Sequence, residues 1–214
     1  MGLLRLFPGL ARQAPRVTRV APIGTFLYRQ NSQANATEFL DPDSDPCEAV
    51  SSTRMQARAY VETSIPSFYF EVRTAPEMVA RRDWTRAWWG VASKSVELVT
   101  SVAVIDELSR GDFSARASCL SLVSNLPVVA VDQTVLEIVE AYIRHRVMPA
   151  DPAGDALHLA LASYHRCDFL VTWNCKHLAN ANKFGHIRRV NGLLDLLSPS
   201  LVTPLELLGD DDEE

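Results

Sequence analysis

The 214-residue chain has little cysteine, no long apolar run and no overall basic excess, and each shortage removes a class of protein. Cys47, Cys119, Cys167 and Cys175 are too sparse for a disulfide-built secreted scaffold and lack the paired CxxC spacing of a zinc site. Cys175 and His177 supply two soft ligands without two more nearby, which suits ordinary loop residues better than structural zinc. A reducing, cytoplasmic setting is therefore expected. Apolar stretches such as Leu157–Ala162 stop far short of the roughly 20 residues needed to cross a bilayer, so no membrane span is expected. The formal charge of −5 argues against a generally basic nucleic-acid binder. Counted by segment, residues 55–209 carry fifteen Lys and Arg against sixteen Asp and Glu, and Asp210–Glu214 add five negatives alone. The central region is thus close to neutral, with an acidic closing run that reads as a solvated tail.

What is present divides the chain unevenly. In residues 1–54, Arg5, Arg12, Arg16, Arg19 and Arg29 precede any acid, and prolines and polar residues break every apolar run. This segment is expected to be disordered. Arg5 and Pro8 interrupt the leucines near its start, which fits poorly with a signal peptide, while the Arg-rich, acid-poor composition is compatible with organelle import. Met55 stands three residues before the first strand-like run, so natural translation is expected to begin there. Residues 55–209 are then the domain and 210–214 the acidic tail.

Beyond Met55, short β-branched runs at Ala59–Val61, Val96–Val99, Val128–Val131 and Phe169–Val171 have strand length. Helical patterns cover Pro76–Ser93, Ala103–Arg110, Phe113–Ser124, Thr134–Arg146 and Pro152–His165. Their alternation predicts a doubly wound α/β sandwich with a central parallel sheet, and Leu201–Thr203 as an edge strand. Ligands of such sheets bind beyond the carboxyl ends of the strands. Glu62 follows the first strand, Glu107 sits on the helix after the second, and Asn174 follows the strand from Phe169. Asp155 is expected about one turn inside a helix capped by Asp151, with Pro152 at its first position. Asp106 is the alternative inward-facing acid beside Glu107. Carboxylates gathered at one edge repel one another unless a cation neutralises them, so a hard divalent metal, Mg²⁺ or Mn²⁺, is implied, with phosphodiester hydrolysis as its natural chemistry.

Four segments in order, Tyr60-Val-Glu-Thr-Ser, Thr100-Ser-Val-Ala-Val-Ile-Asp-Glu-Leu-Ser-Arg-Gly, Asp155-Ala-Leu-His-Leu-Ala and Asp168-Phe-Leu-Val-Thr-Trp-Asn, resemble the PIN domain over roughly residues 58–208. The likeness is strongest to VapC-type toxins. It implies a PIN-like three-layer α/β/α sandwich and an Mg²⁺- or Mn²⁺-dependent endoribonuclease of a toxin–antitoxin pair. Glu62, Glu107 and Asp155 are then the metal ligands, and they act in catalysis together with Asn174, which positions a water. An antitoxin partner and a homodimer are implied as well. The chain departs from the family pattern in having Glu62 where Asp is common and neutral Asn174 where many members carry an acid. These departures motivate the alternative of a catalytically weakened RNA- or protein-binding module. A response-regulator-like domain would also place acids at strand ends, but no suitable lysine is evident.

Three further readings concern neighbours of the acids. His158 shares a helix face with Asp155 and is read as a hydrogen-bonded structural imidazole. Thr63, Ser64 and Thr172 are candidates to support the acids. Trp84, Trp88 and Trp89, at helical spacing, read as a core or dimer stripe before a base-stacking surface, and Arg81, Arg82, Arg86 and Lys94 decorate the same segment.

Overall fold

A computed structural model describes residues 56–208. The expectations for residues 1–54, for a start at Met55 and for the acidic tail lie outside the described residues. The chain runs β1 (Arg58–Val61), α1 (Ser64–Tyr69), α2 (Pro76–Ser95), β2 (Glu97–Ser101), α3 (Val102–Arg110), α4 (Arg116–Val123) and β3 (Val128–Val129). It continues through α5 (Gln133–Arg144), α6 (Asp155–Tyr164), β4 (Phe169–Val171), α7 (Ala181–Leu193) and β5 (Ser200–Val202), ending in a 3₁₀ turn at Leu205–Leu207.

Five parallel strands form one sheet in the order β3-β2-β1-β4-β5. β1 lies at its centre, and its Ala59, Tyr60 and Val61 are fully buried, as a strand covered on both faces requires. Ala59, Val61, Leu98 and Val171 pack with Ile65 of α1 and Trp88 and Ala92 of α2. Tyr60 points to the other face, where its hydroxyl meets His158 of α6. The alternation along β1 thus supplies two cores with one strand, giving helix, sheet and helix layers.

The connections leave β1 and β4 in opposite directions, β1 leading to β2 and β4 to β5. In open α/β sheets a binding crevice lies at the carboxyl end between two strands whose connections leave in opposite directions. At the opposite end, Arg58 grips Glu97, its register partner on β2, through Nε–Oε2 and Nη2–Oε1 bonds of 2.9 Å each. Its Nη1 also donates to the His165 carbonyl at 3.2 Å, tying the start of β1 to the end of α6.

The strand expected at Val128–Val131 forms only over Val128–Val129, at the exposed sheet edge. α6 starts at Asp155 with Gly154 as its N-cap, so the expected capping role of Asp151 is corrected. Asp151 Oδ1 instead accepts from the Ala153 amide at 3.0 Å, and its carbonyl accepts from the Gly154 amide at 3.3 Å. That local turn uses the Asp151 side chain before the helix begins, and it moves Asp155 from one turn inside to the first helical position.

Candidate active site

Glu62 emerges directly after the central strand, and at 8% exposure it is buried. A buried carboxylate needs donors, and three arrive at one oxygen. Glu62 Oε2 accepts from the Ser64 amide at 3.0 Å, from the Ser64 hydroxyl, and from the Thr172 hydroxyl at 2.8 Å. Oε1 accepts none among the described residues, which leaves it available to a ligand. The Ser64 hydroxyl accepts in turn from the Trp173 amide at 2.8 Å, and the Thr172 hydroxyl from the Asn174 amide at 2.9 Å. The ends of β1 and β4 are therefore stitched together around one carboxylate oxygen.

Glu107 comes from α3, a short helix whose Ser101 cap receives the Val104 amide. Of the two adjacent acids on this helix, Asp106 is exposed and Glu107 is half-buried. Glu107 Oε2 accepts from the Thr63 hydroxyl, and Oε1 is bonded to His158 Nε2 at 3.2 Å. Behind the imidazole, His158 Nδ1 shares a hydrogen bond of 2.9 Å with the Tyr60 hydroxyl, which shares another of 2.7 Å with Ser101. This buried line orients the Glu107 carboxylate from the second core.

The electrostatics follow from burial opposed by pairing. Burial works to raise the Glu107 pKa, yet the hydrogen bond and charge of His158, helped by Thr63 and Arg110, hold it below the ordinary carboxylate value. Burial works to lower His158, but the hydrogen bond and charge of Glu107, with Glu62 and Asp155 adding, raise it. The Tyr60 phenol is pushed well up, first by burial, and stays protonated.

Asp155 opens α6, near the positive end of that helix. Its Oδ1 accepts from Asn174 Nδ2 at 2.8 Å, while Asn174 Oδ1 accepts from the His177 amide at 3.1 Å. A continuous chain of hydrogen bonds thus runs from Asp155 through Asn174 and Thr172 to Glu62. One potential metal-donor atom each from Glu62, Glu107 and His158 lies within 4.8 Å of the others, and Asp155 is outside that group. Both imidazole nitrogens of His158 are already engaged, so as a ligand it would have to surrender a partner. Sequence reasoning placed Glu62, Glu107, Asp155 and Asn174 on this network, and the supporting hydroxyls of Thr63, Ser64 and Thr172 are also in it. It left Tyr60 and Ser101 unassigned because their role arises only when β1, β2 and α6 pack.

No Lys or Arg makes an ion pair with Glu62, Glu107 or Asp155 among the described residues. One imidazole therefore faces three carboxylates. A separate groove of about 910 Å³, with Phe70, Trp89, Leu122 and Leu126 in its wall, includes none of these acids. No helix among the described residues is long and apolar enough to cross a membrane.

Fold and site together define a doubly wound α/β protein with an acidic, hydroxyl-supported cluster at the carboxyl edge of its parallel sheet. No family model matches the chain, and no curated protein does. Among solved structures it is similar to VapBC2 from Rickettsia felis, crystallised with a DNA fragment from its promoter. The identity is 15%, covering 68% of this chain and 96% of that one, with a TM-score of 0.44. A likeness this distant has no bearing on activity or partners.

Proposed function

We propose that this protein is a divalent-metal-dependent endoribonuclease, the toxin of a toxin–antitoxin pair, hydrolysing RNA phosphodiester bonds as a homodimer restrained by its antitoxin. The observation that carries the metal-dependent reading is the division of labour within Glu62. Three donors fix Oε2, while among the described residues Oε1 has no hydrogen-bond partner and no Lys or Arg makes an ion pair with the cluster; a carboxylate oxygen of Glu62 lies within 4.8 Å of donor atoms of Glu107 and His158. That unpartnered oxygen is not among the fully buried ones, so water or an ion can reach it. The donor set fits a hard cation, Mg²⁺ or Mn²⁺, because its oxygens are carboxylate and hydroxyl.

Glu62, Glu107 and Asp155 would hold the ion. When bound, such an ion supplies Lewis-acid charge at a phosphoryl oxygen and makes a coordinated water more acidic. Thr172 and Ser64 keep Glu62 in one rotamer, and Thr63 with His158 does the same for Glu107. Asn174 holds Asp155 and presents a neutral amide where an attacking water would be oriented. The in-order PIN-like segments support RNA as substrate. They are also the support for the antitoxin and the dimer.

Calorimetric titration of the full chain with Mn²⁺ tests the site. Saturable binding, lost in Asp155→Asn and in Glu62→Gln while both variants stay folded, is the expected result. RNA binding indifferent to metal and to both substitutions would favour the module without cleavage, which the neutral Asn174 motivates.

A further inference from the structure

Arg81 is half-buried, and among the described residues its guanidinium donates no hydrogen bond and makes no ion pair. Its neighbours are accounted for: Arg73 pairs with Glu71, Arg82 with Asp83, and Arg86 donates to the Tyr69 carbonyl. What holds Arg81 is aromatic. Its guanidinium carbon lies 5.4 Å from the ring centroid of Phe68 and 5.3 Å from that of Trp173. Cation–π contact holds the guanidinium against both rings and leaves its N–H groups without a protein partner among the described residues. A partly desolvated cation with five free donors calls for an anion.

The position of this cation gives the anion its identity. α2 connects parallel β1 to β2, so it descends from the carboxyl end of the sheet, and Arg81 in its second turn lies toward the end where Glu62 sits. Phe68 is on α1, one turn after Ser64. The Trp173 amide donates to Ser64, whose hydroxyl donates to Glu62 Oε2. The aromatic platform is therefore an extension of the elements that clamp the acid. Trp84 stacks on Trp173 at 6.2 Å and 27°, and at 37% exposure it keeps surface open to solvent.

We infer that Arg81 and Trp84 form a binding track for single-stranded RNA beside the acidic site, Arg81 taking a backbone phosphate and Trp84 stacking a base. The track rests on the ribonuclease reading for its substrate class. Alternation of a fixed cation with an exposed ring matches a single strand, whose bases offer open faces; a duplex hides them.

The test is fluorescence anisotropy of a short single-stranded RNA with the full chain carrying Asp155→Asn, in chelator, across roughly 50 to 200 mM salt. Arg81→Ala is expected to weaken binding about tenfold and to flatten the log K against log salt slope by about 0.7, the share of one phosphate contact in a single strand. Arg81→Lys retains the slope with intermediate affinity and guards against a folding artefact. Trp84→Ala weakens binding roughly fivefold or more with the slope unchanged. Arg82→Ala, already paired, leaves affinity as it was, and duplex RNA binds more weakly. Unchanged affinity and slope in Arg81→Ala, or a preference for duplex, would overturn the track. Because no metal or cleavage enters the assay, Arg81-dependent binding without any nuclease activity would sink the ribonuclease reading alone. Metal-dependent cleavage with Arg81 neutral would sink the track alone.

Discussion

Asn174 Nδ2 donates to Asp155 Oδ1 at 2.8 Å, joining the end of β4 to the first residue of α6. A neutral amide here holds a carboxylate that would otherwise face another acid at the same separation.

Replacing that amide by an acid tests how the site manages charge. In Asn174→Asp two carboxylates would meet without a shared proton, costing about 1 kcal/mol in chelator, while the added charge tightens Mn²⁺ binding roughly tenfold, or about 1.4 kcal/mol. Thermal melts with chelator and with Mn²⁺ should show a lower melting temperature in the first case and a larger metal-induced rise in the second. An identical metal response in both proteins would exclude Asn174 from the site.

Thr172 contributes to the site through the rotamer of Glu62. Thr172→Val keeps the shape of the β-branched side chain but removes the 2.8 Å donor to Oε2. Loss of a group that orients a metal ligand commonly costs 10- to 100-fold, so Mn²⁺ affinity should fall by about that range, with a stability loss of about 1–2 kcal/mol because the Asn174 amide also loses its acceptor. Wild-type affinity in this variant would show that Ser64 alone fixes the carboxylate.

His158→Ala addresses the line behind Glu107. The substitution leaves a cavity, a buried Tyr60 hydroxyl with only Ser101, and Glu107 without its imidazole. A loss of about 3 kcal/mol is expected in urea unfolding, the sum of a cavity and lost buried hydrogen bonds. A loss under about 1 kcal/mol would mean the His158–Glu107 contact is not maintained.

The Arg58–Glu97 pair predicts a small, pH-dependent term at the other end of the sheet. The hydrogen bond from Arg58, opposed by burial and reinforced by its charge, holds the Glu97 pKa below its ordinary value. A depressed folded-state pKa contributes stability that is present above the unfolded value and is lost as pH falls through the folded one. Both side chains are over a third exposed, so solvent screening limits the pair to roughly 0.5 kcal/mol. Glu97→Gln should therefore be about that much less stable at neutral pH and converge with the native protein in acid. A difference that grows on acidification would contradict the pairing.

The sheet was legible because its strands are short, nearly continuous apolar runs with β-branched residues, and β1, β2 and β4 fall within a few residues of the sequence expectation. α1 escaped detection: six residues of Ser64-Ile-Pro-Ser-Phe-Tyr carry a proline and no full helical period. α7 escaped for a different reason, since Gly185, Gly192 and many polar residues weaken its pattern. Its buried Asn191 accepts from the Tyr142 hydroxyl at 2.6 Å and donates to Ser163 at 3.1 Å, a tertiary network with no local signature. The acids could be placed from their position after strands, whereas the Tyr60–His158–Glu107 line depends on contacts 51 and 98 residues apart. Helical spacing makes Trp84, Trp88 and Trp89 look like one stripe in the sequence, but they divide: Trp88 is core, Trp89 packs partly against it, and Trp84 stacks on Trp173 with part of its surface open.

The most direct measurement is cleavage of a pool of structured and single-stranded RNA by the full chain with Mg²⁺, with Mn²⁺ and with chelator, beside a Glu62→Ala/Asp155→Ala double variant. Cutting that requires the metal and disappears in the folded double variant is the predicted result. Intact RNA with either metal from properly folded protein, or cutting that survives chelator and the double substitution, would contradict it.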